Sequence, residues 1–328
     1  MFRRLAALAL ACLAGGCSPY AYTSEIDTFA QGVGAFTASY AAGKQAMAAD
    51  ATAEREARWV GTRTRLAYLP GCLILEPIGT PPARPDCAVV RAGRTAPPPP
   101  TPAERLVSAP DAALIFSALS RYAAALQAVT SAADAAALDK AVTGLDAAVG
   151  GLSVAAGNAA PNSKANATIA AAGAGVLTEG VAMLLDQRRL AALRRDVVPM
   201  QGAITVLATA AAKVLDTITN DRETRLLRRI GADDRPLLTD PGRLTAAAYR
   251  ADETRLLGDV AALDALRAGA PIAAGQALVT AHARLVAALQ NPGLQLRPVL
   301  AALSAFSTRA VQLRAAIAAG AGKPPAAS

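Results

Sequence analysis

Histidine is nearly absent from this chain of 328 residues, which contains only one, His282. A single imidazole cannot build a multi-histidine metal site and leaves little material for histidine-based acid–base catalysis. Aromatic side chains make up 4% of the residues and charged ones 18%. The first figure argues against a sheet protein, and the high apolar content argues against a disordered chain. Composition alone therefore disfavours several classes of enzyme and metal protein.

Catalytic and nucleotide-binding motifs are also missing. The chain has no nucleophile elbow, Walker loop, dinucleotide glycine fingerprint or zinc-ligand spacing. Carboxylates are paired at Asp221/Glu223, Asp233/Asp234 and Asp252/Glu253. We interpret them as caps, turns and surface groups, because adjacent residues of a helix point about 100° apart. Acid–base work on a glycosidic bond is the alternative. We therefore predict no catalytic residue, no cofactor and no metal site.

Two groups of arginines, within residues 188–195 and 222–229, interrupt the apolar second half of the chain. We interpret both as solvated helix faces, whose members pair with acids such as Asp186 and Asp221 or cover an apolar flank with their stems. A patch for lipid head groups or another anionic partner is the alternative. The net charge of +8 suits contact with anionic lipid or glycan. His282, flanked by leucine and valine at helical spacing, is interpreted as structural.

Alanine, in contrast, is abundant and accounts for 85 of the 328 residues. It is the strongest helix former, whereas the residues that strands favour are scarce. Apolar residues recur at steps of three and four along most of the chain, beginning with Ile26, Phe29, Val33 and Phe36. The sequence therefore predicts an all-α protein. We expect an elongated antiparallel helical bundle with coiled-coil-like seams and a proline-rich insertion clipped by a disulfide.

The first 17 residues have the order of a bacterial export signal. Arg3 and Arg4 form a short positive region, and residues 5–14 form an apolar run of ten residues, too short to span a bilayer. Small residues at positions 14–16 then precede Cys17. This order resembles the lipobox of bacterial lipoproteins.

The resemblance implies where the protein is held. Signal peptidase II would remove residues 1–16, and the sulfur of Cys17 would carry a diacylglyceryl group whose palmitate-like chains make a stable anchor. Serine at position 18, where aspartate favours retention in the inner membrane, implies the outer membrane, facing the periplasm. The expected partners are the lipid bilayer, through acylated Cys17, and a protein of the cell envelope. Nucleic acid is not expected in that compartment.

Two cysteines, Cys72 and Cys87, remain after cleavage of the signal and lipidation of the chain. In an oxidising compartment we predict a disulfide between them, which would close a loop of about 15 residues and contribute on the order of 3 kcal/mol. A hairpin pairing residues 72–76 end to end with 87–91 would hold the two cysteine Cα atoms roughly 13 Å apart. A disulfide tolerates at most about 7 Å. We therefore predict the disulfide with an irregular or out-of-register strand pair.

Breaks in the helical period divide the chain into five parts. Eleven prolines lie between residues 67 and 110, and because proline lacks an N–H we expect no helix there. The predicted parts are a lipoprotein signal peptide at 1–16, a tether and long N-terminal helix at 17–66, a proline-rich disulfide loop at 67–110, a central helical bundle at 111–230, and C-terminal helices packing on the same bundle at 231–328.

Several boundaries within the bundle can be predicted from proline and glycine. Pro199 marks a break or only a kink, and Gly231 should end a helix, because glycine takes the left-handed cap conformation without strain. Residues 231–242 then form a loop. In the second half we expect helices at about 164–197, 200–230, 243–268, 272–290 and 294–319.

Residues 167–185 are nearly uncharged: Glu179 is the one charged side chain among 19 residues. We interpret the segment as a buried helix, because it is rich in alanine and glycine and because a central acidic residue costs about 3 kcal/mol on insertion. The alternative is a segment that inserts conditionally into a membrane. An elongated bundle with such a segment resembles, in architecture, the α-helical pore-forming toxins related to haemolysin E.

Two classes of function follow. The first is an envelope-anchored, periplasm-facing lipoprotein that acts as a non-enzymatic helical scaffold or adaptor. Long seams, a stiff proline spacer and the missing catalytic motifs favour it. The second is a membrane-active helical bundle that inserts residues 167–185. An enzyme that cleaves glycans through its carboxylates is a third, weaker hypothesis.

Overall fold

The described part of the chain is almost entirely α-helical. A computed structural model describes residues 22–61, 66–68, 89–91, 100–159, 185–239, 241–291 and 296–319. Within them the helices are α1 (Thr23–Gly61), α2 (Pro102–Val107), α3 (Pro110–Ser131), α4 (Ala135–Ala159), α5 (Leu185–Val197), α6 (Gln201–Thr239), α7 (Ala246–Ala268), α8 (Pro271–Gln290) and α9 (Leu296–Ala318). The prediction of an all-α protein is confirmed.

One short strand pair accompanies the helices. β1 (Leu66–Tyr68) and β2 (Val89–Arg91) are antiparallel, and Leu66 faces Arg91 while Tyr68 faces Val89. In the end-to-end hairpin of residues 72–76 and 87–91, Arg91 would face Cys72. In the structure Arg91 faces Leu66 of β1 instead. The long N-terminal helix, predicted to reach residue 66, ends at Gly61.

A helix forms inside the segment predicted to lack one, residues 67–110. α2 begins at Pro102, where proline's missing N–H would have no intrahelical partner in any case. Thr101 and Glu104 form a capping box: the Thr101 hydroxyl accepts from the Glu104 N–H at 3.1 Å, and the Glu104 carboxylate accepts from the Thr101 N–H at 2.7 Å. The prediction is wrong here because it treats proline as a helix breaker at every position.

The helix α6 continues to Thr239, well past the end predicted at Gly231. A glycine inside a helix costs about 1 kcal/mol relative to alanine. That cost is small enough for a helix to continue through Gly231 when its earlier turns are held by tertiary packing, as Leu226 of α6 is against Leu263 and Leu266 of α7. Most of the predicted loop at 231–242 is helix.

Pro199 kinks the chain without reversing it. A single 3₁₀ turn, Val198–Met200, joins α5 directly to α6, as a local tightening around proline allows. Successive contacts with α8 run backward along it: Arg194 with Leu289, Gln201 with Val279, and Ala208 with Gly275. The two helices therefore continue one another along α8 and do not form an antiparallel pair around residue 199.

The helix α1 packs against four others. Its neighbours α3 and α8 run antiparallel to it, whereas α6 and α9 run parallel. The contacts that show this are Asp27–Gln127 and Tyr40–Phe116 for α3, Tyr22–Ala288 and Phe29–His282 for α8, Gly43–Ile218 and Asp50–Arg222 for α6, and Gly32–Phe306 and Gly43–Ile317 for α9. The contact between α1 and α9 is the most extensive of all helix pairs among the described residues. Neighbours therefore do not simply alternate in direction, as short turns alone would require.

The close approach of α1 to α9 at Gly32 gives a direct test of this packing. A Cβ atom there would lie 2.6 Å from the Phe306 ring and 3.2 Å from the Ser307 Cα. Because Phe306 is fully buried, its ring has nowhere to move. We expect Gly32→Ala to lower the free energy of unfolding, measured in urea, by about 1–3 kcal/mol.

Gly34 of the same helix is the matched control. No atom outside its own helix lies within 4 Å of the position its Cβ would take. Gly34→Ala should be neutral or stabilising by up to about 1 kcal/mol, since alanine is the better helix former. Equal losses for the two variants would contradict the packing described.

Candidate functional site

The residues predicted to carry the lipid and the disulfide, Cys17, Cys72 and Cys87, lie outside the described residues. The described chain begins close to Cys17. Tyr22 is buried, and its hydroxyl donates to the carbonyl of Ala288 at 3.1 Å. Tyr22, five residues after Cys17, is thus already part of the described helical core. We call this part of the molecule the Tyr22 end.

A small cleft opens at the Tyr22 end. It is lined by Tyr22, Thr23, Thr130, Arg189, Leu190 and Leu193. Arg189 donates to Asp186 at 2.8 Å and to the carbonyl of Ala132, and its buried Nε has no hydrogen-bond partner within the described structure. Arg188 pairs with Asp139 at 2.7 Å, so α5 and α4 both begin at this end. The cationic group of the cleft is already paired with an acid.

His282 lies in the apolar core, fully buried, with the Phe29 ring 5.9 Å away. Its Nδ1 is 2.7 Å from the amide oxygen of Gln201, and its Nε2 is 3.0 Å from the Tyr122 hydroxyl. Because an amide oxygen only accepts, Nδ1 must carry the proton, and Nε2 then accepts from Tyr122. The neutral imidazole therefore satisfies both ring nitrogens and joins α3, α6 and α8.

Burial decides the protonation of this polar group. It lowers the pKa of His282 from 6.5 to about 3, because a charged imidazolium would lose its hydration. Burial also raises the pKa of Tyr122, with a smaller contribution from the Asp196 carboxylate. Both side chains are neutral at physiological pH. An imidazole held this way is inaccessible to a substrate and suits a structural role.

The pKa of His282 predicts how stability depends on pH. A group whose pKa is lower in the folded state favours folding at high pH, and its contribution is lost as the pH falls from 6.5 toward 3. Between pH 7 and pH 4.5 we expect a loss of about 3 kcal/mol from this residue. His282→Gln should show a correspondingly shallower decline in unfolding free energy over that range.

The same group can be observed directly. Since His282 is the one histidine of the chain, selective ¹³C labelling gives a single imidazole signal. In the folded protein that signal should not titrate above pH 5. A midpoint near 6.5, the value of an exposed imidazole, would contradict the buried network.

The arginines of α6, interpreted from the sequence as a solvated face, include Arg222, the most buried charged side chain of the described structure. Arg222 is fully buried and Arg225 is 6% exposed. We call Arg222, Arg225, Arg229, Asp50 and Glu54 the Arg222 cluster. It lies at the opposite end of α1 from Tyr22. The interpretation is wrong for Arg222 and Arg225, although the predicted pairing of Arg225 with Asp221 is found at 2.7 Å.

Arg222 connects three helices. Its Nε donates to Asp50 of α1 at 2.8 Å, and its terminal nitrogens donate to the carbonyls of Ile317 and, at 3.0 Å, of Ala319 at the end of α9. A cation at a helix C-terminus satisfies carbonyls that lack partners and opposes the helix dipole. The guanidinium therefore caps α9 while it neutralises the buried Asp50 carboxylate.

Arg225 binds the two sides of the proline-rich insertion. It donates to Glu54 on α1 at 3.1 Å and to Glu104 on α2 at 3.4 Å. Burial by itself lowers the pKa of Arg225, but Asp221, Glu54 and Glu104 more than compensate, and the net shift is upward. The Arg225 guanidinium therefore binds α1, which precedes the proline-rich insertion, and α2, which lies near its end.

Arg229 extends the cluster to α7. Its guanidinium makes two hydrogen bonds to Asp259, and it lies 3.8 Å from Asp50. Among the paired carboxylates of the sequence, Glu223 meets Arg267 at 2.8 Å, and Asp252 meets Arg255. The side chains of Asp233 and Asp234 lie outside the described residues. The paired carboxylates that we considered for glycan cleavage are therefore engaged in ion pairs where the structure describes them, except that Glu253 is exposed.

The sequence does contain a signal for the buried arginines. The apolar seam of α1 continues past Met47 into Asp50 and Glu54 at steps of three and four. The seam of α6 likewise continues past Ile218 into Arg222 and Arg225. Two seams that become oppositely charged at the same level predict a buried ion pair between the helices that carry them.

The described residues contain no group of three or more histidine, cysteine or acidic side chains placed to hold a metal ion. Three helical stretches within them are long and apolar enough to cross a membrane by length and composition: Pro110–Ser131, Leu185–Ala232 and Ala246–Gln290. Half of the most apolar window in each is buried inside the fold. Comparisons of the chain with protein-family models, curated proteins and solved structures find no match.

Proposed function

We propose that this protein is an envelope lipoprotein, anchored in the outer membrane by acylated Cys17 and facing the periplasm. It acts there as a non-enzymatic helical scaffold or adaptor. The observation that carries the proposal is the position of Tyr22, which enters the core five residues after Cys17. Five extended residues reach at most about 18 Å. The anchor therefore holds the folded body against the membrane surface, and the tether is too short for the body to diffuse away from it.

The shape of the helices supports a scaffold. The 39 residues of α1 rise about 58 Å, and seven other described helices contribute to one continuous core with it. We propose that they form an elongated bundle. The polar groups with unusual chemistry, His282 and the Arg222 cluster, are buried or half-buried and serve to hold helices together. A surface for protein or lipid partners suits this arrangement better than a reaction centre.

We also propose the disulfide between Cys72 and Cys87. The strand pair places Tyr68 beside Val89. Cys72 follows β1 by four residues and Cys87 precedes β2 by two, so both thiols belong to one loop closed by the strands. Such short connections would allow the two sulfurs to meet in an oxidising compartment. The bond would stabilise the insertion by closing a loop of about 15 residues.

Intact-mass spectrometry of protein extracted from bacterial envelopes tests both modifications. We expect a chain beginning at Cys17 with a diacylglyceryl group, and a mass lower by two hydrogens that is restored on reduction. Cys17→Ala should abolish incorporation of labelled palmitate and release the protein from the membrane fraction.

Cys12→Ala is the matched control for the lipid, because that residue lies in the part removed with the signal. It should leave labelling unchanged. Palmitate incorporation that persists in Cys17→Ala would contradict the anchor. Recovery of no specific partner from solubilised envelopes, together with hydrolytic activity in the pure protein, would contradict the adaptor function.

A membrane-active bundle is the second candidate, and one observation favours it. α5 begins at Leu185, the last residue of the nearly uncharged segment, and its residues Leu190 and Leu193 line the cleft beside Tyr22. The segment 167–185 thus joins the fold at the end that the proposed anchor would hold against the bilayer. An inserting segment attached there would need no large movement of the helices to meet lipid.

Dye release from anionic liposomes between pH 7 and pH 4 tests this second function. We expect release by the mature protein and its loss in Val176→Asp with Leu177→Asp, because each charge at the centre of a membrane segment costs about 3 kcal/mol. Val154→Asp, an exposed change on α4, is the control and should leave release unchanged. Vesicles left intact by the unaltered protein over the whole pH range would rule out this candidate.

A further inference from the structure

The outer face of α7 has no partner within the described structure. All the buried side chains of this helix lie at or after Asp259, and they face α6. The thirteen residues from Ala246 to Gly258 bury none. Leu257 is 63% exposed, Tyr249 40% and Val260 39%, which is unusual for large apolar side chains within three turns of one helix.

Such a helix gains little stability from its own fold. Isolated helices of this length are marginal in water, and packing of an apolar face normally supplies most of their stability. Leu257 projects from the side opposite Ala262 and Leu266, which are buried against α6. The most exposed apolar side chain therefore points directly away from the core, where a further helix could cover it.

Two charges flank Leu257 symmetrically. Arg250 lies seven residues before it and Asp264 seven residues after it, so all three share one face of the helix. Both charged residues are exposed, and neither makes an ion pair with a described residue. A helix carrying the same pattern in the opposite direction would place an acid beside Arg250 and a base beside Asp264.

We propose that a second copy of this chain covers this face, with the two α7 helices antiparallel about a two-fold axis through Leu257. Leu257 then packs on its equivalent, and Arg250 meets Asp264 of the second copy on both sides of the axis. A two-fold interface must be self-complementary, and the sequence of charge, leucine and opposite charge meets that requirement. Thr254, Gly258 and Ala261 are small and let the helix backbones approach.

The dimer has a consequence for the membrane that rests on the proposed lipid anchor. α7 is antiparallel to α6, as Arg229–Asp259 and Glu223–Arg267 show, and α6 is parallel to α1. The two-fold axis therefore places the two Tyr22 ends at opposite ends of the dimer, about 90 Å apart along the helix axes. With both anchors in one leaflet, the pair lies along the membrane surface and is tethered at both ends.

Disulfide crosslinking in intact cells tests the dimer itself. In Leu257→Cys the two introduced thiols lie at the axis, and we expect a covalent dimer on non-reducing gels of the envelope fraction. Val311→Cys on α9, which is 55% exposed, is the matched control for random collision and for exchange with the native cysteines. Crosslinking of Leu257→Cys no stronger than that of the control, or to a protein of a different mass, would overturn the proposal.

Charge reversal tests the direction of pairing. Arg250→Asp or Asp264→Arg is added singly to Leu257→Cys. Each single reversal creates a like-charge pair on both sides of the axis, and the yield of covalent dimer should fall roughly tenfold. The two reversals combined restore opposite pairs, and the dimer should return to its original yield. All three side chains are exposed, so circular dichroism should be unchanged. A double reversal whose yield of covalent dimer is as low as that of the single reversals would overturn the antiparallel arrangement.

Cys17→Ala, tested in parallel, distinguishes loss of the anchor from loss of the dimer.

Discussion

The bond between Arg222 and Asp50 is the interaction on which one half of the structure depends. Neither charge could be buried alone without a penalty of several kcal/mol. Paired, and with the carbonyls of Ile317 and Ala319 as further acceptors, they connect α1, α6 and the end of α9. Contacts of alanine with alanine supply little to distinguish one sliding position of two helices from the next. We infer that the buried pair fixes the register of α1 against α6 and α9, because only one alignment satisfies both charges.

His282 fixes the helix register in the same way in the part of the core near the Tyr22 end. Its two ring nitrogens need an acceptor on α6 and a donor on α3 at once, and a shift of either helix by one turn would leave a buried nitrogen unpaired. His282 fixes the helices near the Tyr22 end, and the Arg222–Asp50 pair fixes them near the start of the insertion. A core rich in small residues can pack in many ways, and specific polar contacts reduce that number.

The features of the fold that depend on local interactions could be predicted from the sequence, and those that depend on distant partners could be predicted less well. Alanine content and the steps of three and four predict helices, and the bounds of α7, α8 and α9 agree with expectation to within a few residues. Helix ends are harder to predict: glycine at position 231 is typical of a helix end, yet its cost of about 1 kcal/mol does not end α6 there. For Arg222 the charges that continue both seams indicate a buried pair, but its partner Asp50 lies 172 positions away, so no local pattern joins the two. Parallel packing of α1 on α9 joins the two ends of the chain, and no turn signal encodes it.

Function in such a protein must come from what the helices leave uncovered, because what they bury is already satisfied. Both ring nitrogens of His282 are hydrogen-bonded, and the buried arginines of α6 donate their N–H groups to carboxylates and carbonyls. Among the described residues, the outer face of α7 is the feature that stays uncovered. If Cys17 carries the proposed lipid, a tether of at most about 18 Å would limit the body to the membrane surface, and confinement to a surface raises the effective concentration of one copy for another. A weak helix–helix contact that would be negligible in dilute solution can then decide how the molecules are arranged.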